Sequence, residues 1–386
     1  MPRTFDSKQN NNRASLEAIF GPVDGLAVSI PPLKARGNRP LQMEFMHQLK
    51  ALILFHLEEH TSGRDLLQFL EEDDYARKAI APSKGIKKSA FFEAINTRGI
   101  EQLLYVFHQL QAQATKTIPQ KNEDLGELIA IDGSYVDSVL SMHWADYSDS
   151  VKKAKAHVAF DLNRSIPSQI VLTNGKVDER PFVGQLLCAG QTGVMDRGYQ
   201  SYTDFDLWQS EGRHFVCRIR IDSQKTIISS NPIADSSIVF YDAVVLLGIK
   251  GVNQTQRELR VVGYRVEDKE YWIATDRFDL SAEQLADVYK ARWAIEKFFA
   301  WWKRHLKVYH LIARSRYGLT VQLLAGLITY LLLALYCHQN FAEPVSIRRV
   351  RQLRNQIRNE LRGIDLASEG SSDFKEQEKN YNRAIP

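Results

Sequence analysis

The sequence has few cysteines and no long apolar run, and these two absences exclude several classes of protein. Its three cysteines, Cys188, Cys217 and Cys337, lack the spacing of a zinc site or a disulfide framework. A reducing compartment such as the cytoplasm therefore fits best. The longest apolar stretch, residues 323–337, is shorter than the about 20 residues that span a bilayer. We therefore expect a buried helix there and no membrane partner.

Net charge is also small, because 50 Lys and Arg residues oppose 46 Asp and Glu residues and leave +4. The 44% of hydrophobic residues excludes a disordered chain, since enough apolar surface is available for a core. At roughly 150 residues per domain, 386 residues predict two or three domains.

The positive charge is concentrated in two segments. Residues 290–316 hold eight Lys or Arg against one Glu, a net of +7, and residues 346–362 hold six Arg against one Glu, a net of +5. Clusters of this kind are typical of surfaces that bind a phosphate backbone. The second segment predicts either a helix that grips DNA or a solvated C-terminal helix.

The hydrophobic pattern changes along the chain and predicts several domains. Helical periodicity over residues 41–116 predicts an all-helical module, which either binds DNA or serves packing or dimerisation. Strand-like runs with interleaved helices then predict an α/β fold with a mixed sheet. We expect a flexible arm at 1–40, a core formed by 125–212 and 278–340, a β-rich insertion at 213–277, and a basic helix with a disordered tail at 341–386.

Two carboxylates follow predicted strands. Asp132 comes after the run 128–131, and Asp196 comes after the run 193–195. Sites in α/β proteins are usually built at the carboxyl ends of strands, although aspartates there are also common turn formers.

A predicted long helix, residues 281–306, supplies a third carboxylate. Ser281 and Gln284 form a capping-box pattern at its start. At about 100° per residue, one face of this helix carries Tyr289, Arg292, Glu296 and Lys303. The face is either a solvated row of ion pairs or a functional stripe, and we expect its aromatic neighbours to be core residues.

These residues resemble a known family. The pattern Tyr289-x2-Arg292-x3-Glu296-x6-Lys303 is similar to the signature of the insertion sequence family 4 transposases, the DDE enzymes of bacterial mobile elements. Ile131-Asp132-Gly133-Ser134 and Met195-Asp196-Arg197-Gly198-Tyr199 resemble the two aspartate motifs of that family. The resemblance covers residues 41 to 340.

The resemblance implies a ribonuclease-H-like core with a β-strand insertion domain between the second and third acids. It implies that Asp132, Asp196 and Glu296 are catalytic and hold two Mg²⁺ ions, which Mn²⁺ can replace. Hard cations of this kind prefer carboxylate oxygens. The predicted DNA contacts are Tyr289, Arg292 and Lys303, with Arg197 and Lys176 as weaker candidates.

The implied activity is Mg²⁺-dependent cleavage at the ends of an insertion sequence and transfer of the 3′-hydroxyl into target DNA, with a hairpin end as one route. The implied partner is double-stranded DNA, namely the terminal inverted repeats and the target, held by a homodimer at the bacterial nucleoid. Two alternatives stay open: a ribonuclease-H-like nuclease or resolvase, and a DNA-binding derivative without catalysis.

Three other residues carry weaker expectations. Lys155 and His157 lie on one side of a predicted strand, and His157 is expected to be structural, although it could approach the site. Trp272, in the β-rich segment, is expected to be a core residue.

Overall fold

The structure is a computed structural model that describes residues 15–34, 41–137, 142–145, 147, 153–235, 237–307 and 310–361. The chain divides into two compact units, one of residues 1–110 and 321–386 and one of residues 111–320. The first residues of the predicted arm and the predicted disordered tail lie outside the described residues.

The described secondary structure contains helices and strands in alternating blocks. The helices are α1 (Ser15–Asp24), α2 (Phe45–Leu57), α3 (Gly63–Glu72), α4 (Asp74–Ile80), α5 (Lys88–Thr97), α6 (Ile100–Thr117), α7 (Val183–Leu186), α8 (Tyr202–Ser210), α9 (Ala282–Ala291), α10 (Trp293–His305), α11 (Arg316–Phe341) and α12 (Ile347–Leu361). The strands are β1 (Leu128–Asp137), β2 (Lys153–Asp161), β3 (Ile166–Asn174), β4 (Thr192–Met195), β5 (His214–Arg218), β6 (Lys225–Ser230), β7 (Val239–Leu247), β8 (Leu259–Val266) and β9 (Lys269–Thr275).

The first unit is helical and includes a helix that the sequence analysis placed in a flexible arm. Helix α1 buries Leu16, Ile19, Phe20 and Val23. These residues are spaced by three and four positions, so they form one apolar face of the helix. Part of the predicted arm is therefore a packed helix.

Helix α12 is packed by its apolar residues and by some of its arginines. It buries Val350, Leu353 and Ile357. Arg354 Nε donates to the Leu57 carbonyl at 2.5 Å and its Nη1 pairs with Glu59. This arginine therefore stabilises the helical unit, while Arg348 and Arg351 on the same helix are exposed.

The second unit contains a mixed sheet of nine strands in the order β3-β2-β1-β4-β5-β9-β8-β7-β6. β1, β2 and β3 pair antiparallel, whereas β4 pairs parallel with β1 and β5 pairs parallel with β4. The prediction of a mixed α/β fold is confirmed.

The strands of the predicted insertion, residues 213–277, belong to this same sheet. β5 pairs with β4 and buries Phe215, Val216 and Cys217, so the first predicted insertion strand is a core strand. β9 then pairs antiparallel with β5, and β8, β7 and β6 follow in order. Strands β6–β9 therefore extend the core sheet by backbone pairing, and a separate insertion domain stays a prediction.

In the described part of the chain, α11 is the one helix long and apolar enough to cross a membrane. Of its most apolar 18-residue window, 94% is buried within the protein. This agrees with the buried helix that the sequence predicts.

Candidate active site

The first two predicted carboxylates lie on neighbouring parallel strands. The register pairs Ile131 of β1 with Met195, the last residue of β4. Asp132 and Asp196 are the next residues, so they are neighbours where the parallel pairing ends. β1 continues to Asp137 because β2 still pairs with it. The sequence predicted that Asp132 follows its strand. In the structure, Asp132 lies inside β1.

The third carboxylate lies on a pair of helices that the sequence predicted as one. The predicted capping box is present: the Ser281 hydroxyl accepts from the Gln284 N–H at 3.1 Å, and the Gln284 side chain accepts from the Ser281 N–H at 2.8 Å. Arg292 separates α9 from α10 and donates its N–H to the Tyr289 carbonyl at 3.2 Å. This three-residue spacing is that of a tighter 3₁₀ turn. The prediction of one continuous helix is wrong at Arg292.

The side chain of Arg292 joins the helix pair to the sheet. Its Nη2 lies 2.6 Å from Glu296 Oε1, and its Nη1 lies 3.4 Å from Asp132 Oδ2. The guanidinium carbon is 5.7 Å from the centre of the buried Tyr289 ring. The structure therefore brings four of the predicted residues together: Asp132, Tyr289, Arg292 and Glu296.

The carboxyl group of Asp132 has a raised pKa. Burial, with the nearby negative charges of Asp196 and Glu179, raises its pKa from 3.8 to about 7. The Gly133 N–H, which donates to Asp132 Oδ1 at 2.7 Å, and the charge of Arg292 oppose this rise. The group is therefore poised between its neutral and ionised forms near neutral pH.

Asp196 is oriented by the short 3₁₀ turn that follows β4. Its Oδ1 accepts from the Gly198 N–H at 2.8 Å. Arg197, in the same turn, is exposed, and so is Lys176, in the turn after β3. Lys303 is half-buried in the last turn of α10. The DNA contacts of Arg197, Lys176 and Lys303 stay predictions.

His157 and Trp272 both pack into the protein. His157 is buried, its Nε2 lies 2.8 Å from Thr173 Oγ1, and its ring stacks on Phe182 at 4.9 Å. Burial lowers the pKa of His157 to about 4, so the ring is neutral at pH 7. Trp272 packs against the hydrophobic core and contacts the Tyr241 ring at 5.0 Å. Both environments agree with structural roles.

Two residues close to Asp132 were missed as functional candidates, namely Glu179 and Tyr199. Glu179 pairs with Lys155, and Tyr199 is fully buried near the Glu179 carboxylate. One feature of the sequence could have indicated such neighbours, namely Gly133, which directly follows Asp132. A glycine permits other groups to pack closely against the backbone.

The carboxylates suit a divalent cation by their chemistry. Asp132 and Asp196 are neighbouring oxygen donors whose mutual repulsion a cation would relieve, and hard cations prefer such ligands. Among the described residues, however, no group of three or more His, Cys, Asp or Glu side chains is gathered to hold a metal. Two of the acids, Asp132 and Glu296, are instead bridged by Arg292.

The fold and the site together define a protein with a carboxylate centre on a mixed α/β sheet. A family model described as "Transposase DDE domain" matches residues 124–332, more than half of the chain. The chain belongs to this family of transposases, the DDE enzymes of bacterial insertion sequences and mobile elements.

Three curated relatives carry names from the same family. A Geobacillus stearothermophilus protein named as a probable transposase for insertion sequence element IS5377 is 32% identical over 245 residues, 63% of this chain and 65% of the relative. A Sinorhizobium fredii protein named as a transposase is 26% identical over 204 residues, 51% of this chain and 57% of the relative. A Synechocystis protein named as a transposase for element IS4SA is 23% identical over 277 residues, 69% of this chain and 76% of the relative. The chain thus covers less than two thirds of the first two.

Proposed function

We propose that this protein is a DNA transposase that cleaves DNA at the ends of an insertion sequence and joins the freed 3′-hydroxyl to target DNA. One observation carries the proposal: Asp132 and Asp196 are neighbours on parallel strands, and Glu296 is linked to Asp132 through a single arginine. Membership in the transposase family and the mixed sheet, which is consistent with a ribonuclease-H-like core, support the same activity.

Asp132, Asp196 and Glu296 would hold two Mg²⁺ ions, or Mn²⁺ in their place. When bound, such ions activate the attacking oxygen and stabilise the leaving oxygen of a phosphodiester. The chain orients the acids through separate elements: β1 and the Gly133 N–H hold Asp132, the Gly198 N–H holds Asp196, and α10 carries Glu296. No side chain needs to form a covalent intermediate.

The reaction has two steps. Water first attacks the phosphodiester at the element end, which breaks the bond to the 3′-oxygen and leaves a 3′-hydroxyl and a 5′-phosphate. The 3′-hydroxyl then attacks a target phosphodiester, forms a new ester bond and releases a 3′-hydroxyl from the target strand. In the hairpin route, the same 3′-hydroxyl first attacks the opposite strand of its own duplex and releases the 3′-hydroxyl of the flanking DNA. A second water then hydrolyses the hairpin and regenerates the 3′-hydroxyl that attacks the target.

Tyr289, Arg292 and Lys303 would contact DNA at the cleaved end. The fork of an arginine binds phosphate and carboxylate in the same bidentate manner, so a DNA phosphate can replace Glu296 as the partner of Arg292. That exchange would free Glu296 for a cation. The exposed Arg197 and Lys176 would add phosphate contacts beside the site.

The other parts of the chain would divide the task of holding DNA. The helical module, residues 41–116, and the basic segments would bind the terminal inverted repeats and the target. Two element ends must be held together for transposition, so a homodimer would form the synaptic complex. This assembly would act on the nucleoid in the bacterial cytoplasm.

The catalytic assignment is tested with Glu296→Gln on a labelled element end, taken from the DNA that flanks the reading frame, with Mg²⁺. The variant keeps the size of the side chain and removes its charge, and we expect it to bind the DNA without cutting it. Glu283→Gln, on an exposed position of α9, is the matched control and should cut normally. Undiminished cleavage by Glu296→Gln would overturn the assignment. Cleavage by the wild type without a strand-transfer product would identify a nuclease or resolvase, and DNA binding without cleavage a non-catalytic derivative.

A further inference from the structure

A buried ion pair lies beside the candidate site and belongs to none of the family motifs. Lys155 of β2 and Glu179, which follows β3, are joined through Nζ and Oε1. Only 8% of the Lys155 side chain and 24% of the Glu179 side chain are exposed. Two opposite charges held with so little solvent are weakly screened, so both influence the charges around them.

The pair is packed directly on the backbone of Gly133. A Cβ atom at this position would lie 2.6 Å from Lys155 Cε and 3.0 Å from Glu179 Oε1, closer than van der Waals contact allows. The absence of a side chain at Gly133 therefore leaves room for the pair beside the backbone. Gly133 is also the residue whose N–H orients the Asp132 carboxylate, at 2.7 Å. The ion pair thus lies against the peptide that positions the first acid.

The electrostatics place Glu179 in the same cluster as two of the proposed cation ligands. The fully buried Tyr199 hydroxyl lies close to the Glu179 carboxylate. Burial raises the pKa of Tyr199, and the carboxylates of Glu179, Asp132 and Asp196 raise it further. Three carboxylates therefore act on one buried hydroxyl.

We propose that the Lys155–Glu179 pair acts on the affinity of the carboxylate site for divalent cations through two opposing charges, with Glu179 raising that affinity and Lys155 lowering it. The proposal rests on the proposed function, because it concerns the same site. Near that site, Glu179 attracts a cation and Lys155 repels it, and the pair keeps the two influences balanced. Its packing on Gly133 places both charges beside the residue that follows Asp132.

The test measures Mn²⁺ binding by calorimetry on the purified full chain without DNA, so that it does not depend on catalysis. Glu179→Gln leaves the Lys155 charge unopposed and should weaken Mn²⁺ binding about tenfold, whereas Lys155→Met leaves the Glu179 charge unopposed and should tighten it by a similar factor. The double variant should return close to the wild-type affinity. Lys155→Arg keeps the charge and should preserve the affinity.

The opposite changes in Mn²⁺ affinity that we expect for the two single variants distinguish this electrostatic role from a purely structural one. If the pair only stabilised the fold, both single variants would weaken binding and both would lower Tm. A matched control is Glu211→Gln, which removes one carboxylate from another ion pair of the same unit, that with Arg213, and should leave Mn²⁺ binding unchanged. Changes of the same sign, or no change, in the two single variants would overturn the inference. If the wild type showed no Mn²⁺ binding that Asp132→Asn abolishes, and no cleavage, the proposed function itself would fail.

Discussion

At the scale of single residues, the carboxyl group of Asp132 is acted on by opposing influences. Burial and the negative charge of Asp196 favour its neutral form, whereas the Gly133 N–H and Arg292 favour its ionised form. Burial and the charge of Asp196 outweigh the other two influences, so the pKa of Asp132 rises to about 7. An ionised Asp132 therefore costs the cation-free protein stability, and a bound cation would remove that cost.

Asp132→Asn should make the cation-free protein more stable at pH 8. A carboxyl whose pKa is raised in the folded state contributes stability below its unfolded pKa of 3.8, and this contribution is lost as pH rises to about 7. Asparagine cannot ionise and avoids the loss. At about 1.4 kcal/mol per unit of pKa, the gain at pH 8 should reach a few kcal/mol.

Urea unfolding in the presence of a chelator at several pH values measures this difference. The advantage of Asp132→Asn should grow between pH 4 and pH 7 and stay constant above. Asp206→Asn, in α8 of the same unit, serves as the control. A variant that is less stable than the wild type at pH 8, with no dependence of the difference on pH, would contradict the raised pKa.

At the scale of elements, Arg292 is the connection between the sheet and α10. It stands at the break between α9 and α10 and bonds to Asp132 on β1 and to Glu296 on α10. The positively charged guanidinium of Arg292 lies between Asp132 and Glu296, the two acids that would share a divalent ion. The same side chain therefore links the acids in this structure and would compete with the proposed ions.

Arg292→Gln should separate cation binding from activity. Removal of the competing charge should tighten Mn²⁺ binding without DNA by several-fold, since two carboxylates lose a neutralising partner. Cleavage should nevertheless fall, because the proposed phosphate contact is lost. Calorimetry and the cleavage assay measure the two effects, with Arg257→Gln, on an exposed position before β8, as the control. Weaker Mn²⁺ binding by Arg292→Gln would contradict the competition.

Sequence patterns predicted the strands and helices that carry the candidate site more accurately than they predicted the contacts between its side chains. Asp132 and Asp196 were found because a strand signal ends in each, and Glu296 because the helical period survives the break: Arg292 keeps helical dihedral angles, so the stripe stays in phase. The break itself is invisible to periodicity for the same reason. Glu179 was missed because its role depends on Lys155 and Gly133, which only the folded sheet brings to it.

At the scale of the whole molecule, the sequence predicted the helical unit only in part. The helical module was expected at residues 41–116, yet its unit also includes α1 and α12, whose contributions come from distant parts of the chain. Ser15 at the start of α1, for example, donates its N–H to Glu360 of α12 at 2.5 Å. Such pairings leave no local pattern in the sequence.

The sheet of the second unit raises the question of whether β6–β9 fold independently of the other strands. β7 and β8 are joined by a buried ion pair in which Arg260 Nε and Nη2 lie 2.8 and 2.6 Å from the Asp242 carboxylate. Backbone pairing continues from β8 through β9 to the core strand β5. A continuous sheet should transmit a loss of stability in β6–β9 to the other strands.

Arg260→Met should therefore destabilise β1 and β5 together with β7 and β8. It leaves Asp242 buried without its partner, which costs about 3–5 kcal/mol, whereas Asp242→Leu in the same molecule should restore most of the stability. Arg265→Met, which breaks an exposed pair with Glu270 between β8 and β9, is the control and should cost less than about 1 kcal/mol. Native-state hydrogen exchange gives the answer: protection in β1 and β5 should fall in parallel with that in β7 and β8. Unchanged protection in β5 would show that β7 and β8 unfold as a separate unit although the sheet is continuous.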